Sequence, residues 1–296
     1  MQECIVRLDE DFGKDEGILH EAMVTGRKVG AGRDFWSKLA HDKTLFRKTV
    51  ALVSDNHELS EPVVVSPFFA SEEVKSGLGY PAEYVGANPV CEQLLKFSGH
   101  FKELDTKKVL ANAKEFLDLP QGAEGPGPFV VPYWKRVAKT YNEATERILK
   151  AIASERTFKS WLEGKSLNLR QSERTEIAFD MLWGKQQSDY FLVPAQFGFF
   201  HARPCRSVRR VRTVYLPHEF GLDTFAVGSM LLSHPERFIS EKDLFVVCPG
   251  ESRRETNCVG SGASCFYWHG GTLHLSVVGT NHTRSDCASA TGFFPQ

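Results

Sequence analysis

The chain has 296 residues and a mass of 33.2 kDa, with 42% hydrophobic, 25% charged and 11% aromatic residues. This composition is typical of folded globular proteins and excludes a chain disordered throughout, and the length predicts two domains because single cores stop growing at roughly 250 to 300 residues. A formal net charge of -1 lacks the basic excess that a dedicated nucleic-acid or membrane-surface binder carries.

The opening residues and the cysteine usage predict a cytoplasmic protein. Residues 1–17 show no basic segment followed by an apolar one, and no apolar run reaches the roughly 18 residues of a membrane span. The cysteines are odd in number and widely spaced, which favours reduced thiols over a disulfide framework. We therefore expect the glycosylation sequon at Asn281-His282-Thr283 to be unused.

The N-terminal part has mainly helical patterning. Apolar residues of 33–53 recur at helical spacing after a possible cap at Asp34, and a short strand is predicted over Val63–Val65. Residues 92–117 are predicted to be helical in two pieces. The run PQGAEGPGP at 120–128 predicts a linker or long loop because proline and glycine disfavour regular structure.

Two further helices are predicted after this linker. The apolar positions of the first lie on one helical face and are Trp134, Val137, Tyr141, Ile148 and Ile152. The second includes Ile177 and Leu182, and Gly184 is expected to end it.

From residue 189 the pattern changes to that of a mixed domain. Residues 189–200 and 211–217 predict two strands, residues 221–235 a helix capped by Asp223, and residues 241–250 another strand. The terminal stretches CFYWHGG, TLHLSVVG and ATGFF each predict a strand bounded by glycine.

These elements predict an α+β protein in three parts. Residues 1–128 form a mainly helical N-terminal region that ends in the Pro/Gly-rich linker, residues 129–185 a helical connector, and residues 186–296 a mixed α/β domain. The last domain carries most of the features that bear on function.

No catalytic motif is recognisable, so the sequence leaves enzymatic activity uncertain and predicts no cofactor. The chain has neither a phosphate-binding loop nor a nucleophile elbow, and His218-Glu219 lacks the second histidine of a zinc-protease helix. A Cys/His hydrolase or a zinc-dependent enzyme stays open as an alternative. Its candidate ligands are His201, Cys205, Cys248, Cys258, Cys265, His269, His274 and Cys287. Their wide spacing is unlike the close ligand pairs of structural zinc sites.

An arginine cluster lies within HARPCRSVRRVR, residues 201–212. Its members are Arg203, Arg206, Arg209, Arg210 and Arg212. Such a cluster can neutralise phosphates, which keeps a nucleic-acid-associated protein as a further alternative. With the overall charge near zero, we favour guanidinium groups paired with Glu219, Glu251 or similar acids inside the domain.

The ending resembles a known family. An aromatic-Gly-Gly turn at Trp268-His269-Gly270-Gly271, a small-residue run at Ala288-Ser289-Ala290 and a closing strand at Gly292-Phe293-Phe294 resemble the C-type-lectin-like, formylglycine-generating-enzyme-like domain. More narrowly, they resemble the variable proteins of diversity-generating retroelements. In those proteins, such a C-terminal domain displays residues that are rewritten at adenines of a template repeat.

This resemblance implies a binding surface that tolerates variation, with an unknown macromolecular ligand, in our expectation a protein, and no membrane partner. The expected ligand-binding residues are Tyr267, His269, His274, Ser276, Val278, Thr280, Asn281, His282, Arg284 and Asp286. Strand alternation places the first five opposite the expected core positions, which are Phe266, Trp268, Leu273, Leu275, Val277 and Phe293. Residues 280–286 would form the loop that follows.

Overall fold

The protein is described here by a computed structural model. The described residues are 68–113, 125–161, 168–198, 205–253 and 262–294. The helix predicted over 33–53 and the strand predicted over Val63–Val65 lie outside them. Contacts divide the chain into residues 1–60 and residues 61–296, and all described elements belong to the second unit.

The structure mixes helices and sheets, which confirms the predicted α+β class. The helices are α1 (Val90–Ser98), α2 (Lys107–Asn112), α3 (Trp134–Val137), α4 (Tyr141–Glu155), α5 (Glu173–Gln186), α6 (Val208–Thr213) and α7 (Thr224–Ser233). A 3₁₀ turn at Pro235–Arg237 follows α7. None of the helices in the described ranges is long and apolar enough to cross a bilayer.

The strands of the described residues form three sheets. They are β1 (Glu73–Val74), β2 (Gly127–Pro132), β3 (Phe158–Ser160), β4 (Leu169–Gln171), β5 (Tyr190–Gln196), β6 (Cys205–Arg206), β7 (Glu219–Gly221), β8 (Phe245–Val247), β9 (Glu251–Arg253), β10 (Gly262–His269), β11 (Thr272–Gly279), β12 (Cys287–Ser289) and β13 (Thr291–Phe293). The largest sheet has the order β12-β8-β10-β11-β3, with β9 and β4 extending from β10. The second sheet is β2-β5-β13-β7, and β1 pairs with β6.

Polar side chains that precede α4, α5 and α7 cap the starts of these helices. Thr140 and Glu143 form a capping box at α4, with each side chain bonded to the other residue's backbone N–H. Asp223 accepts a hydrogen bond from the Ala226 N–H at 2.8 Å, which confirms the predicted cap of α7. Ser172 caps α5 in the same way.

Helix α7 lies in the main core, and all of its residues are buried. It packs against α4, α1 and β2. Gly228 marks the closest approach of α7 to α4, since a Cβ atom there would lie 2.6 Å from the Ile148 side chain. The same core includes Phe129 of β2, Phe191 of β5 and Phe266 of β10, so it joins both large sheets.

Strand β2 begins inside the run that predicts a linker. Pro128 pairs in register with Pro194 of β5, so the two residues that lack an N–H occupy one position of the ladder. All residues of β2 are buried. The elements of 129–185 and of 186–296 thus share one core, and the described structure has no separation at residue 185.

The predicted helices are present within the described ranges, with two differences. The stripe from Trp134 to Ile152 belongs to two helices, α3 and α4, because Ala138 is extended. Helix α5 continues past Gly184, whose exposed backbone stays helical, and ends at Gln186 before Gln187 in the left-handed conformation.

The strand predicted over 211–217 is wrong. The chain forms α6 instead, because Ser207 accepts a hydrogen bond from the Arg210 N–H at 3.1 Å and starts a helical turn. Val208 and Val211, three positions apart, are both buried on one side of this turn. Alternating valines and arginines resemble a strand pattern, but the cap and the tertiary contacts decide the conformation.

Candidate functional site

The long hairpin β10–β11 carries five of the ten predicted ligand-binding residues, and the loop after β11 carries the other five. His269 pairs with Thr272, and the two-residue turn between them has Gly270 at φ 56° and Gly271 at φ 72°. Positive φ at both positions is the turn geometry that matches strand twist, and glycine adopts it without strain. The sequence therefore fixes the register of the two strands at this turn.

One face of the hairpin faces the core, as alternation predicts. Phe266, Leu273 and Leu275 are fully buried, which confirms them as core positions. Trp268 and Val277 are half-buried and pack against the same core. The other side of the hairpin is called the outer face here, and it carries Tyr267, His269, His274, Ser276 and Val278.

An aromatic row crosses the outer face over three strands. The Tyr267 ring stacks on Phe245 with centroids 4.9 Å apart and on His274 with centroids 5.0 Å apart. These contacts follow from register, since Tyr267 and His274 are directly paired and β8 adjoins β10. The Arg284 guanidinium lies 5.4 Å from the centroid of Phe245, so a cation stands at one end of the row.

Trp161 extends the aromatic row on the side of β3. Its indole Nε1–H donates to the Tyr267 hydroxyl at 3.1 Å, and its backbone N–H donates to the Leu275 carbonyl. The residue is nevertheless 65% exposed. An exposed tryptophan held in place by two hydrogen bonds offers contact area with little freedom left to lose on binding.

His274 is more enclosed than the prediction implies. It is 8% exposed within the aromatic row. Burial lowers its imidazole pKa and the charge of Lys159 adds to this shift, whereas a hydrogen bond with the His269 backbone opposes it. Val278 is half-buried against a small apolar cluster with Val208 and Ala263. These two residues lie on the outer face but are covered in part, whereas His269 projects from the tip of the hairpin and is exposed.

The hairpin tip is held by Glu241. Its carboxylate accepts the Gly270 N–H at 3.1 Å and lies 3.5 Å from the His269 Nδ1 atom. Both side chains of that ion pair are more than half exposed, so the pair contributes little to stability.

The loop after β11 is fixed at both ends. The Thr280 carbonyl accepts the Arg209 N–H at 2.9 Å, and the loop then enters β12 at Cys287. Arg284 and Asp286 form a two-point ion pair with an Nε–Oδ1 distance of 2.7 Å. The Arg284 hydrogen bond lowers the pKa of Asp286. Asn281 and His282 are exposed between these anchors.

The structure thus places the predicted residues on the outer face and in the loop that follows it, with His274 buried there, and other residues adjoin them. Phe245, Trp161, Lys159 and Glu241 join them from β8, β3 and the segment before β8. No periodic pattern in the sequence marks them, because they reach the surface only through strand pairing. Lys159 is found by register alone, opposite His274.

Three members of the arginine cluster pair with two carboxylates of the fold. Arg206 and Arg210 share Glu73, and Arg209 pairs with Glu72. The pKa of Glu72 is lowered chiefly by the hydrogen bond from Arg209. The expected pairing of arginine with acids is therefore found, but the acids differ from those predicted.

The side chains of Glu219 and Glu251 have other partners. Glu219 accepts the Leu216 N–H, and Arg212 donates to the carbonyl oxygens of Pro249 and Glu251 rather than to a carboxylate. Arg203 lies outside the described residues.

The described cysteines lie in three separate places, one of which is the exposed Cys91 of α1. The thiols of Cys265 and Cys287 are in hydrogen-bond contact, and that contact together with burial raises the pKa of Cys287. Cys205 lies near Cys287, whereas Cys248 is buried beside Thr224. In the described ranges no three His, Cys, Asp or Glu side chains are arranged to hold a metal ion. His201 and Cys258 lie outside those ranges.

Comparisons of this chain with protein-family models, with curated proteins and with solved structures give no match.

Proposed function

We propose that this chain is a ligand-binding protein that displays a diversifiable C-terminal surface on a lectin-like scaffold, in the manner of the variable proteins of diversity-generating retroelements. The ligand is a protein, contacted through the outer face of β10–β11 and the loop at 280–286. The resemblance of the last residues to that family motivates the proposal.

The observation that carries the proposal is the difference in burial between the inner face of the hairpin and the residues of its tip and of the loop that follows it. Phe266, Leu273 and Leu275 on the inner face are fully buried in the main core, whereas His269, Asn281, His282 and Arg284 are exposed. The exposed side chains can be replaced without opening a cavity or burying a polar group. A surface that must accept many residues requires this separation.

The scaffold beneath the surface supports the same proposal. Strand β13 lies between β5 and β7, so the chain after the variable loop is tied into a sheet on both edges. A loop between two anchored strands keeps its shape when its exposed residues change. Aromatic, histidine, asparagine and arginine side chains also combine contact area with adaptable hydrogen bonds.

The first test compares alanine variants at the two faces. We expect His269→Ala, Asn281→Ala and Arg284→Ala each to change the free energy of unfolding by less than about 0.5 kcal/mol, as surface substitutions do. Tyr267→Ala should cost about 1 kcal/mol because Tyr267 stacks on two rings. Phe266→Ala, the matched core control, should cost about 3 to 5 kcal/mol.

The second test randomises the surface. A library varied at His269, Ser276, Asn281, His282 and Arg284 should consist mostly of folded proteins, and display selection against a purified globular protein should yield binders. A library varied at Phe266, Leu273 and Leu275 should consist mostly of unfolded chains. If the surface library unfolds as often as the core library, the hairpin is a structural element and the proposal fails.

A further inference from the structure

Two carboxyl groups lie close together at the N-terminus of α7. Asp223 and Glu251 are both fully buried. Asp223 Oδ1 accepts the Ala226 N–H at 2.8 Å, and Glu251 Oε2 accepts the Thr224 N–H at 3.0 Å. Among the described residues neither carboxyl forms an ion pair, although a buried charge normally needs one.

The Glu251 carboxyl group has a full set of hydrogen-bond donors. Its two oxygens accept from the Tyr141 hydroxyl at 2.8 Å, the Thr224 N–H, the Thr224 hydroxyl and the Ser264 hydroxyl. Four donors fill the lone-pair positions of one carboxylate. Arg212 adds a positive charge nearby through its hydrogen bond to the Glu251 carbonyl oxygen.

The Asp223 carboxyl group has fewer hydrogen-bond donors than Glu251. Besides the Ala226 N–H, it has the Gln171 side-chain amide, 2.6 Å from Oδ2. The Gln171 amide nitrogen faces Oδ2 and donates to it, but the two ends of a glutamine amide are interchangeable in position, so a protonated Asp223 can instead donate to the amide oxygen. The Tyr141 hydroxyl also lies beside Asp223, but its hydrogen is directed to Glu251.

We propose that Asp223 and Glu251 hold one proton between them in the folded protein near neutral pH, carried on Asp223 Oδ2 and donated to the Gln171 side-chain oxygen. The pair is then a proton-dependent junction. It joins α7 to Tyr141 of α4, to Gln171 of β4 and, through Glu251, to β9 and β10. Burial, with Glu251 second, raises the pKa of Asp223 to about 7.

Other groups face the pair from every neighbouring element. Tyr141 on α4 is neutral because burial raises the pKa of its hydroxyl, and burial likewise raises the pKa of the Cys248 thiol before β9. Arg212 on α6 is a cation close to Glu251. Ser264 and Gln171 carry no charge. Asp223 is thus the group among these that gains or loses a proton in the neutral range.

The sign of the pH effect follows from linkage. The pKa of Asp223 is higher in the folded protein than in the unfolded chain, so the folded protein binds more protons between about pH 4 and pH 7. The stabilisation that Asp223 provides is therefore complete below about pH 4 and is lost as pH rises through 7. Above this range both carboxylates are charged and the junction is weakened.

The test compares the wild-type protein with Asp223→Asn by reversible urea unfolding between about pH 5 and pH 9. Asparagine keeps the helix cap and has no proton to lose. We expect the unfolding equilibrium constant of the wild type, divided by that of the variant, to rise by up to about tenfold per pH unit from pH 5 to pH 7 and then to level off. Glu251→Gln removes the neighbouring charge that helps to raise the pKa of Asp223. In this background the ratio of unfolding equilibrium constants should therefore level off at a lower pH.

Infrared spectroscopy gives a direct second measurement. The wild-type protein at about pH 6 should show a protonated-carboxyl stretch that Asp223→Asn lacks and that disappears at about pH 9. The proposal of a shared proton would be overturned if the ratio of the wild-type to the Asp223→Asn unfolding equilibrium constant did not change with pH. It would also be overturned if the protonated-carboxyl band were absent at about pH 6.

Discussion

At the scale of single residues, buried polar side chains complete the backbone hydrogen bonding of this protein. Gln93 of α1 donates to the Pro128 carbonyl and accepts the Val130 N–H, both at 2.8 Å, along the free edge of β2. Gln186 bonds in the same two-way manner to the backbone of Leu192. Each glutamine amide takes the place of a neighbouring strand.

Gln93→Leu tests this role. The substitution keeps the side-chain volume similar but leaves a buried N–H and a buried carbonyl without partners, so we expect a loss of about 2 to 4 kcal/mol in the free energy of unfolding. Lys96→Ala, on the exposed side of the same helix, should change it by less than about 0.5 kcal/mol. Urea denaturation measures both, and equal effects of the two variants would contradict the edge role.

His234 makes stability fall with acidity. Its Nε2 accepts the Asn88 N–H at 2.8 Å and its Nδ1 donates to the Met230 carbonyl, which fixes a neutral ring, and burial lowers its pKa to about 4. The unfolded chain takes up the proton at higher pH than the folded protein does. The stability from this residue is therefore complete above about pH 6.5 and is lost as pH falls towards 4.

The measurement is the difference in unfolding free energy between the wild type and His234→Gln across about pH 4 to pH 7. We expect this difference to shrink by about 3 kcal/mol as pH falls. As pH falls, the contribution of His234 to the unfolding free energy decreases while that of Asp223 increases. Each contribution is therefore measured by comparing the wild type with the variant at that one residue. A difference that stays constant with pH would mean that His234 protonates freely in the fold.

At the scale of elements, the contact of α7 with α4 depends on one glycine. A methyl group at Gly228 would lie 2.6 Å from the Ile148 side chain, closer than real contacts allow. Gly228→Ala should destabilise the protein by about 1 to 2 kcal/mol, since overpacking outweighs the gain in helix propensity. Gly184→Ala in α5 is the matched control.

Nothing lies within 4 Å of a methyl group at Gly184, and its backbone is helical. We therefore expect Gly184→Ala to stabilise the protein by about 0.5 to 1 kcal/mol. Thermal or urea unfolding distinguishes the destabilisation expected for Gly228→Ala from the stabilisation expected for Gly184→Ala. Stabilisation by both alanines would show that α7 and α4 can move apart without cost.

Sequence patterns predict the elements whose signals are local. Asp223 before an apolar run gives the cap of α7, and Gly270-Gly271 between alternating residues gives the β10–β11 hairpin and its two faces. Strand β2 is missed because its proline-rich start is compatible with a strand only when Pro128 faces Pro194. Helix α6 is missed because its cap competes with a strand-like valine pattern.

The residues of the candidate site likewise divide into those that local sequence signals predict and those that they do not. Residues of one hairpin, such as Tyr267 and His269, can be assigned to the outer face from alternation alone. Phe245 and Trp161 cannot, since they reach Tyr267 only after β8 and β3 have paired around the hairpin. Burial of His274 is equally a tertiary effect, because it depends on the rings stacked beside it.

At the scale of the whole molecule, both large sheets and α7 share one core, and the outer face of β10–β11 lies apart from it. Phe266, Leu273 and Leu275 stabilise the fold, and the exposed residues that we propose contact a ligand, such as His269, are therefore different residues on the same strands. This separation is the physical condition for a surface that changes while the scaffold is retained.

The measurement that tests this account most directly is the sequence of the DNA that flanks the coding region. We predict an imperfect copy of the segment encoding residues 265–296 that differs mainly at adenines, next to a reverse-transcriptase reading frame. The differing codons should fall on exposed positions such as His269, Asn281 and Arg284 and spare Phe266 and Leu275. Flanking DNA without such a repeat, or a repeat whose differences fall equally on the buried positions, would contradict the account.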